Sequence, residues 1–290
     1  MALATVRRNL GKTKQNVNVG LIKGAIVTPE GFSLSASNKL LKAQWQTALF
    51  DTVANRIHLL PKFNEMTDES EKIIIYDTDL GSQFVRFGRR KFDVSVTKSF
   101  YLHQAIQTYS GAVAKIILID TNNKFWGVVD SAGNFSGFTI ELFQSESLIM
   151  NSGKEPSLSK IKIALSDSLE LDVQGGYVDA GAFYNQLKEL VDVNVVQSGV
   201  VAGTNVKVTV TVDADGSSVD GLANVVPDFL VKSAAGVARV VTAVTQDLSV
   251  TPGVYSLTVT ALTAGDTVNL TTPALLSIPG YESTGAIVTV

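Results

Sequence analysis

The order of apolar and polar positions along this 290-residue chain predicts many short strands and few helices. Residues 21–28 alternate well enough for a first strand, ended by Pro29, Glu30 and Gly31. A helix is expected next. Ser35 or Ser37 can accept the orphan N–H groups of its first turn, and Leu41, Trp45, Leu49 and Val53 recur every four residues as one apolar stripe. The stretch 71–143 organises the rest: KIIIYD (72–77), a turn at 79–82, FVRFGRRKFDVSV (84–96), a short helical pattern (99–109), AKIILID (114–120), KFWGVVD (124–130) and FSGFTIELF (135–143). Strands with one embedded helix predict a β-sandwich or half-barrel with flanking helices. Phe84, Phe87 and Phe92 stand at strand spacing and are expected in its core. In LSKIKIALSDSLELD (158–172), Ile161, Ile163 and Leu165 alternate with Lys160, Lys162 and Ala164 and predict a half-buried strand. Residues 183–191 are expected to be a short helix with Leu187 and Leu190 on one face.

From Val193 the sequence turns to Val, Thr, Ala, Ser and Gly. KVTVTVD (207–213), PDFLVKS (227–233), RVVTAVT (239–245), VYSLTVTAL (254–262), DTVNLTT (266–272) and AIVTV (286–290) alternate with turn residues, and 194–197 adds one more strand. About seven short strands in so short a stretch predict an immunoglobulin-like sandwich of the cysteine-free kind, with a fibronectin-type sandwich as its rival. The fold class expected is mainly β (β + minor α), with a domain at 20–192, a second at 193–290 and an N-terminal arm at 1–19.

Charge sharpens that boundary. Residues 1–192 carry 21 basic and 20 acidic side chains, a net of +1, and residues 193–290 carry 3 and 7, a net of −4. The arm holds Arg7, Arg8, Lys12 and Lys14 and no acid; it reads as a flexible segment or as one that orders against a neighbouring subunit. Apolar residues make up 45% and charged ones 18%, yet no run of eighteen apolar residues offers a membrane span. So apolar a chain without a span is expected to hide further surface in an oligomer. An acidic loop (Glu65, Asp68, Glu69, Glu71) lies close in sequence to a basic strand (Arg86, Arg89, Arg90, Lys91). The two can pair within one monomer as a surface network. The reading adopted is that the acidic loop of one subunit meets the basic strand of the next and fixes register; a basic edge touching nucleic acid is the weaker third reading.

No catalytic, cofactor-binding or metal-binding constellation stands out. There are no cysteines, which removes disulfides and thiolate ligands. His58 and His103 lack a second ligand at helical spacing, no serine sits in a Gly-x-Ser-x-Gly setting, and no phosphate-cradling loop is present. Asp213, Asp215, Gly216 and nearby Asp220 read either as a hairpin turn or as a weak calcium site. Tyr281 and Glu282 fall in a loop where a binding surface could sit. With no apolar signal segment at its start, the chain is expected to be made and assembled in the cytoplasm.

The order of an arm, a helix, strand–turn–strand with GRRKFDVSV, a short helix and paired strands with IDTNNKFWGVVD is similar to that of structural proteins of tailed bacteriophages. The likeness is to the tail-tube and connector-ring type, especially from phages of Bacteroidota, and covers about residues 20–172. It implies a β-sandwich with a flanking helix that joins copies of itself into a ring, commonly a hexamer, within a virion. It also implies other virion proteins as partners and DNA passing through the lumen without sequence-specific contact. An immunoglobulin-like domain at 193–290 would decorate the outside. Such tubes usually have a negative lumen, so the basic cluster at 86–91 fits better at a subunit interface. A head-decoration protein and a glycan-binding adhesin are the alternatives.

Overall fold

The computed structural model describes residues 19–79, 81–97, 100–111, 114–150, 157–199, 203–222, 228–246, 252–283 and 285–288. The arm read over 1–19 lies outside the described residues except for Val19, as do parts of the strands read at 227–233 and 286–290. The protein is mainly β.

Twelve strands form the N-terminal half: β1 (Ile22–Thr28), β2 (His58–Leu59), β3 (Glu65–Asp68), β4 (Ile74–Thr78), β5 (Gly81–Arg86), β6 (Lys91–Val96), β7 (Lys115–Asp120), β8 (Lys124–Val129), β9 (Phe135–Ser136), β10 (Phe138–Ser145), β11 (Ser159–Leu165) and β12 (Gly175–Asp179). Ten of them make one antiparallel sheet that runs β12-β8-β7-β10-β11-β6-β3, with β1 and β2 on the far side of β7. Along one edge β7 pairs with β1 over its whole length. Along the other it pairs first with β10 and then with β8, so the sheet forks. Gly137 sits at the fork because a Cβ there would lie 2.9 Å from the Ile116 backbone nitrogen.

The fork curls the sheet around one core and leaves another on its back. Ala25, Val27, Ile116 and Leu118 belong to the enclosed core with β6, β10 and β11. Their neighbours Ile26, Ile117 and Ile119 point the other way and pack with Trp45, Phe125 and Phe135. Successive side chains of a strand face opposite sides, so β7 and the second half of β1 are buried on both, which explains the apolar runs Ile116–Ile119 and Ala25–Val27.

The back is covered by α1 (Lys42–Leu49), whose Trp45 donates from Nε1 to the Lys39 carbonyl at 2.9 Å and meets Phe125 edge-on. The expected stripe is half realised: Trp45 and Leu49 are buried, but the helix is too short to turn Leu41 and Val53 inward and both are exposed. Ser35 caps the preceding turn (Asn38–Leu40) by accepting from Asn38 N, while α1 itself starts without a side-chain cap. A second helix, α2 (Phe100–Thr108), lies over the enclosed core through Ile106.

Three expectations fail in this half. Residues 65–68 are a strand rather than a loop, because β6 needs a partner on its second edge and Met66 points to the core. Residues 183–191 contain only a short turn (Tyr184–Gln186), and Val191 already begins the next strand. Phe84 and Phe87 are exposed; of the three phenylalanines only Phe92 is core.

The C-terminal half is a sandwich of β13 (Val191–Gln197), β14 (Asn205–Val212), β15 (Phe229–Lys232), β16 (Ala238–Arg239), β17 (Val241–Gln246), β18 (Val254–Val259), β19 (Thr267–Leu270), β20 (Tyr281–Ser283) and β21 (Ala286–Ile287). One sheet runs β17-β18-β14-β13-β20 and the other β16-β15-β19-β21, around a core drawn from residues 193–288. The single strand expected at 239–245 is two: the chain passes from one sheet to the other at Val240. Tyr255 is buried, donates to the Val219 carbonyl at 2.7 Å and accepts from Leu222 N at 3.1 Å, tying a loop to the core. Burial pushes its hydroxyl up to about 12, so it stays a donor at every ordinary pH. Tyr255→Phe removes both bonds and strands a buried N–H. It should cost about 1–3 kcal/mol, seen as a lower urea midpoint with an unchanged slope.

Candidate assembly surface

The paired strands β4 and β5 stand apart from every other sheet. They form an antiparallel hairpin whose register runs from Ile75 opposite Phe84 to Thr78 opposite Gly81. Gly81, with φ at +131°, makes the turn, a conformation that other residues avoid. Ile73, Ile74, Ile75, Tyr76, Phe84, Val85 and Phe87 are 39–62% exposed. Phe84 and Phe87 pack on each other with tilted rings, centroids 4.8 Å apart, and both remain exposed. An isolated two-stranded hairpin is marginal in water, and exposed apolar faces of this size mark contact surfaces.

The base of the hairpin carries the sequence-derived interface residues. Glu71 bonds Lys91 at 2.7 Å and lies 3.4 Å from Arg86, so the Lys91 ammonium holds its carboxyl below the usual glutamate range. Arg89 faces Glu141 at 3.4 Å, and Arg90 grips Asp172 at 2.7 Å. The acidic and basic segments also share backbone bonds, Glu69 N to Lys91 O and Glu71 N to Arg89 O, both 2.9 Å. The structure thus brings Glu71 and the four basic residues into pairs within one chain. Glu65, Asp68 and Glu69 make no ion pair among the described residues. Exposed pairs of this kind stabilise little.

Beside the hairpin, the curled sheet is open at one side. Leu60 N to Ala25 O and Phe63 N to Lys23 O close it at one end. Beyond, the chain upstream of β1 and the outer edge of β3 diverge and leave a groove of about 790 Å³ floored by Met66, Phe92, Leu118, Trp126 and Leu171. Its lip carries Glu65, Asp68 and Asp172, the last paired with Arg90. The helical turn that brings Leu171 and Asp172 there (Glu170–Gln174) is pinned by Glu170, which accepts from Thr139 N at 2.6 Å and Thr139 Oγ1 at 2.8 Å.

Asp120 fixes Gly20, just before β1, at this groove. Fully buried, it accepts from Gly20 N at 3.2 Å, Asn122 N at 2.8 Å, Lys124 N at 2.9 Å and Trp126 Nε1 at 3.0 Å. Burial pushes its carboxyl up, but the bonds from Lys124, Trp126, Gly20 and Asn122 outweigh that and hold it below the ordinary aspartate value.

The two halves meet through Arg56. Its buried guanidinium makes two bonds to Glu282, Nη1 to Oε2 at 2.7 Å and Nη2 to Oε1 at 2.9 Å, and Nε reaches the Asp51 carbonyl at 3.1 Å. Gln46 adds two bonds to the backbone of Lys188, and Gly280 leaves room for the Phe50 ring. Glu282 is therefore not at a free tip: it lies in β20, a short parallel edge strand beside β13. Nothing in the sequence marked Arg56 or this strand. Beside the joint, burial and then Arg56 push the His58 imidazole below its usual value, and its Nδ1 shares a 3.1 Å hydrogen bond with the Tyr109 hydroxyl.

The remaining polar candidates are spoken for. Residues 213–216 form the hairpin turn: Asp215 accepts from Ser217, Asp213 from Asn194, and Asp220 from Gln246 and Gly253. His103 Nδ1 meets the Ser159 hydroxyl at 3.1 Å in a buried site. Among the described residues no group of three or more His, Asp or Glu is placed to hold a metal, and no helix is long and apolar enough to cross a membrane. No protein-family model and no curated protein matches the chain.

Two outcomes follow from this geometry. Arg56→Ala should destabilise the protein by about 2–4 kcal/mol, whereas the double variant Arg56→Met/Glu282→Leu should recover much of the loss, because it leaves no unpaired charge. Urea unfolding of all variants checks this. Asp120→Asn should also destabilise, and the sign of its pH dependence is set. A lowered carboxyl contributes fully above the ordinary aspartate value of about 3.9 and is lost as pH falls through its lowered value. The gap between wild type and variant should be widest near neutrality and close as pH falls below the ordinary aspartate value.

Proposed function

We propose that this chain is a self-assembling structural subunit, a tail-tube or neck-ring protein of a tailed bacteriophage virion, with the C-terminal sandwich on its outside. The observation that carries self-assembly is the β4–β5 hairpin, an apolar element with no core of its own. Covering its seven side chains by a neighbour would recover part of the roughly 1.5–3 kcal/mol that each gains on full burial. The virion reading rests on the similarity in element order of residues 20–172, and the mainly β architecture agrees with it. In such a ring Glu65, Asp68 and Glu69 lie open to the basic surface of a neighbour, where Arg86 and Arg89 remain half exposed.

The test is light scattering with negative-stain microscopy of the full chain and of Ile75→Asp/Phe84→Asp. Both side chains are more than half exposed and belong to neither buried core of this half, so the variant should keep its circular dichroism and melting point. Wild type should form rings or tubes and the variant should stay monomeric. A wild type that stays monomeric at high concentration, or a variant that assembles unchanged, overturns the proposal.

A further inference from the structure

Two irregularities of the backbone bring Lys23 and Asn123 together, although they are 100 positions apart. In β1, Ile22 lies opposite Asp120 and Gly24 opposite Ile119, so Lys23 is the extra residue of a bulge, a device that re-aims a side chain. In the turn between β7 and β8, Asn123 has φ at +59°, a left-handed conformation that asparagine adopts more readily than most residues. Asp120 holds that turn on both sides of Asn123: its carboxylate accepts from the N–H of Asn122 and of Lys124, and its carbonyl from Asn123 N at 3.0 Å. The Asn123 carbonyl accepts in turn from Ala180 N at 3.1 Å. The result is direct contact between Lys23 Nζ and Asn123 Oδ1. The Tyr184 ring covers the amine, its centroid 4.6 Å from Nζ. Burial pushes the Lys23 ammonium below its usual value, against the pull of Asp120 and with help from Lys62. A desolvated amine of this kind is a nucleophile.

We propose that Lys23 and Asn123 join in an isopeptide bond that the chain forms on itself. The neutral Lys23 amine attacks the Asn123 side-chain carbon Cγ, the atom to which the contacted Oδ1 is bonded. The new C–N bond forms as the bond from Cγ to Nδ2 breaks, and the proton shed by the amine departs with Nδ2 as ammonia. Nothing is oxidised or reduced, so no co-reactant is needed. An amide in free solution resists an amine because the two must meet and align. Here the fold holds both, and well-oriented groups behave as if at a concentration on the order of 10⁵ M or more. The bond ties the start of β1 to the β7–β8 turn, beside the Phe63 N to Lys23 carbonyl contact that closes the curled sheet. It also closes a covalent loop over residues 23–123, which contains the hairpin, β6 and α2. A cross-link over so long a loop restrains the unfolded chain strongly. The bond lies within one chain, whatever that chain assembles into.

The test is the intact mass of the full-length protein, denatured after incubation at mildly alkaline pH, where the lowered amine is neutral. Wild type should be lighter than its sequence requires by one molecule of ammonia. A proteolytic digest should contain the peptides around Lys23 and Asn123 joined as one branched species, identified by tandem mass spectrometry. Lys23→Met keeps most of the aliphatic stem, and Asn123→Gly suits the left-handed φ. Each removes one reacting group, and each should have the full mass of its sequence. Any removal of the initial Met is common to all three proteins and leaves the comparison intact. Wild type at full mass, a deficit that persists in Lys23→Met, or a branched species joined at other residues would each overturn the proposal.

Discussion

Everything in the N-terminal half depends on β7 being buried on both faces. Ile116 and Leu118 face the enclosed core, while Ile117 and Ile119 face the back, and all four are at most 4% exposed. A strand in that position must have a layer on each side. The curl of β10, β11 and β6 supplies one layer, and α1 with β12 supplies the other. The fork at Gly137 follows, since β8 and β10 share one edge of β7. The groove follows in turn. A sheet bent around one side of a central strand, and stitched shut only near Lys23 and Ala25, stays open where β1 and β3 diverge. Truncating Ile117 would strike both the strand and the layer it holds, at a cost of about 2–5 kcal/mol.

The joint between the halves rests on different physics. It is a charged pair, with the arginine buried and the glutamate partly open to water, and such pairs fix geometry more than they add stability. A guanidinium with two bonds to one carboxylate holds its direction, and Gln46 likewise makes two bonds to the backbone of one residue, Lys188. The contact anchors β20 at the edge of β13, so the last turns of the C-terminal sandwich are shaped partly by the N-terminal half.

Much of this was legible in the sequence. Alternation located most strands, and Trp45 was correctly read as core. What could not be read was tertiary choice. Residues 65–68 look like an acidic loop because only Met66 faces inward on so short an edge strand. Arg56 and Glu282 are 226 positions apart, and neither carries a local signal. The loop candidates at 213–220 have the composition of a cation site and the conformation of a turn, and only the partners of each carboxylate separate the two.

The sharpest case is a pair of hexapeptides. Residues 72–77 read KIIIYD and residues 115–120 read KIILID. Both are apolar on both faces and both fold as strands, yet the first is open to water and the second has almost no exposed surface. A pattern with no polar face fits a strand covered on both sides. In β7 the chain provides that cover; in β4 the described residues do not. Under the proposed assembly, a second chain does. Seven half-exposed side chains would return on the order of 5–10 kcal/mol, which is close to the cost of bringing two proteins together. One such contact makes a marginal dimer. In a closed ring every subunit both gives and receives a hairpin, so the final subunit gains two contacts for one loss of freedom. Under that proposal a hairpin too weak to hold a pair would be strong enough to hold a circle, which would favour a ring over a dimer.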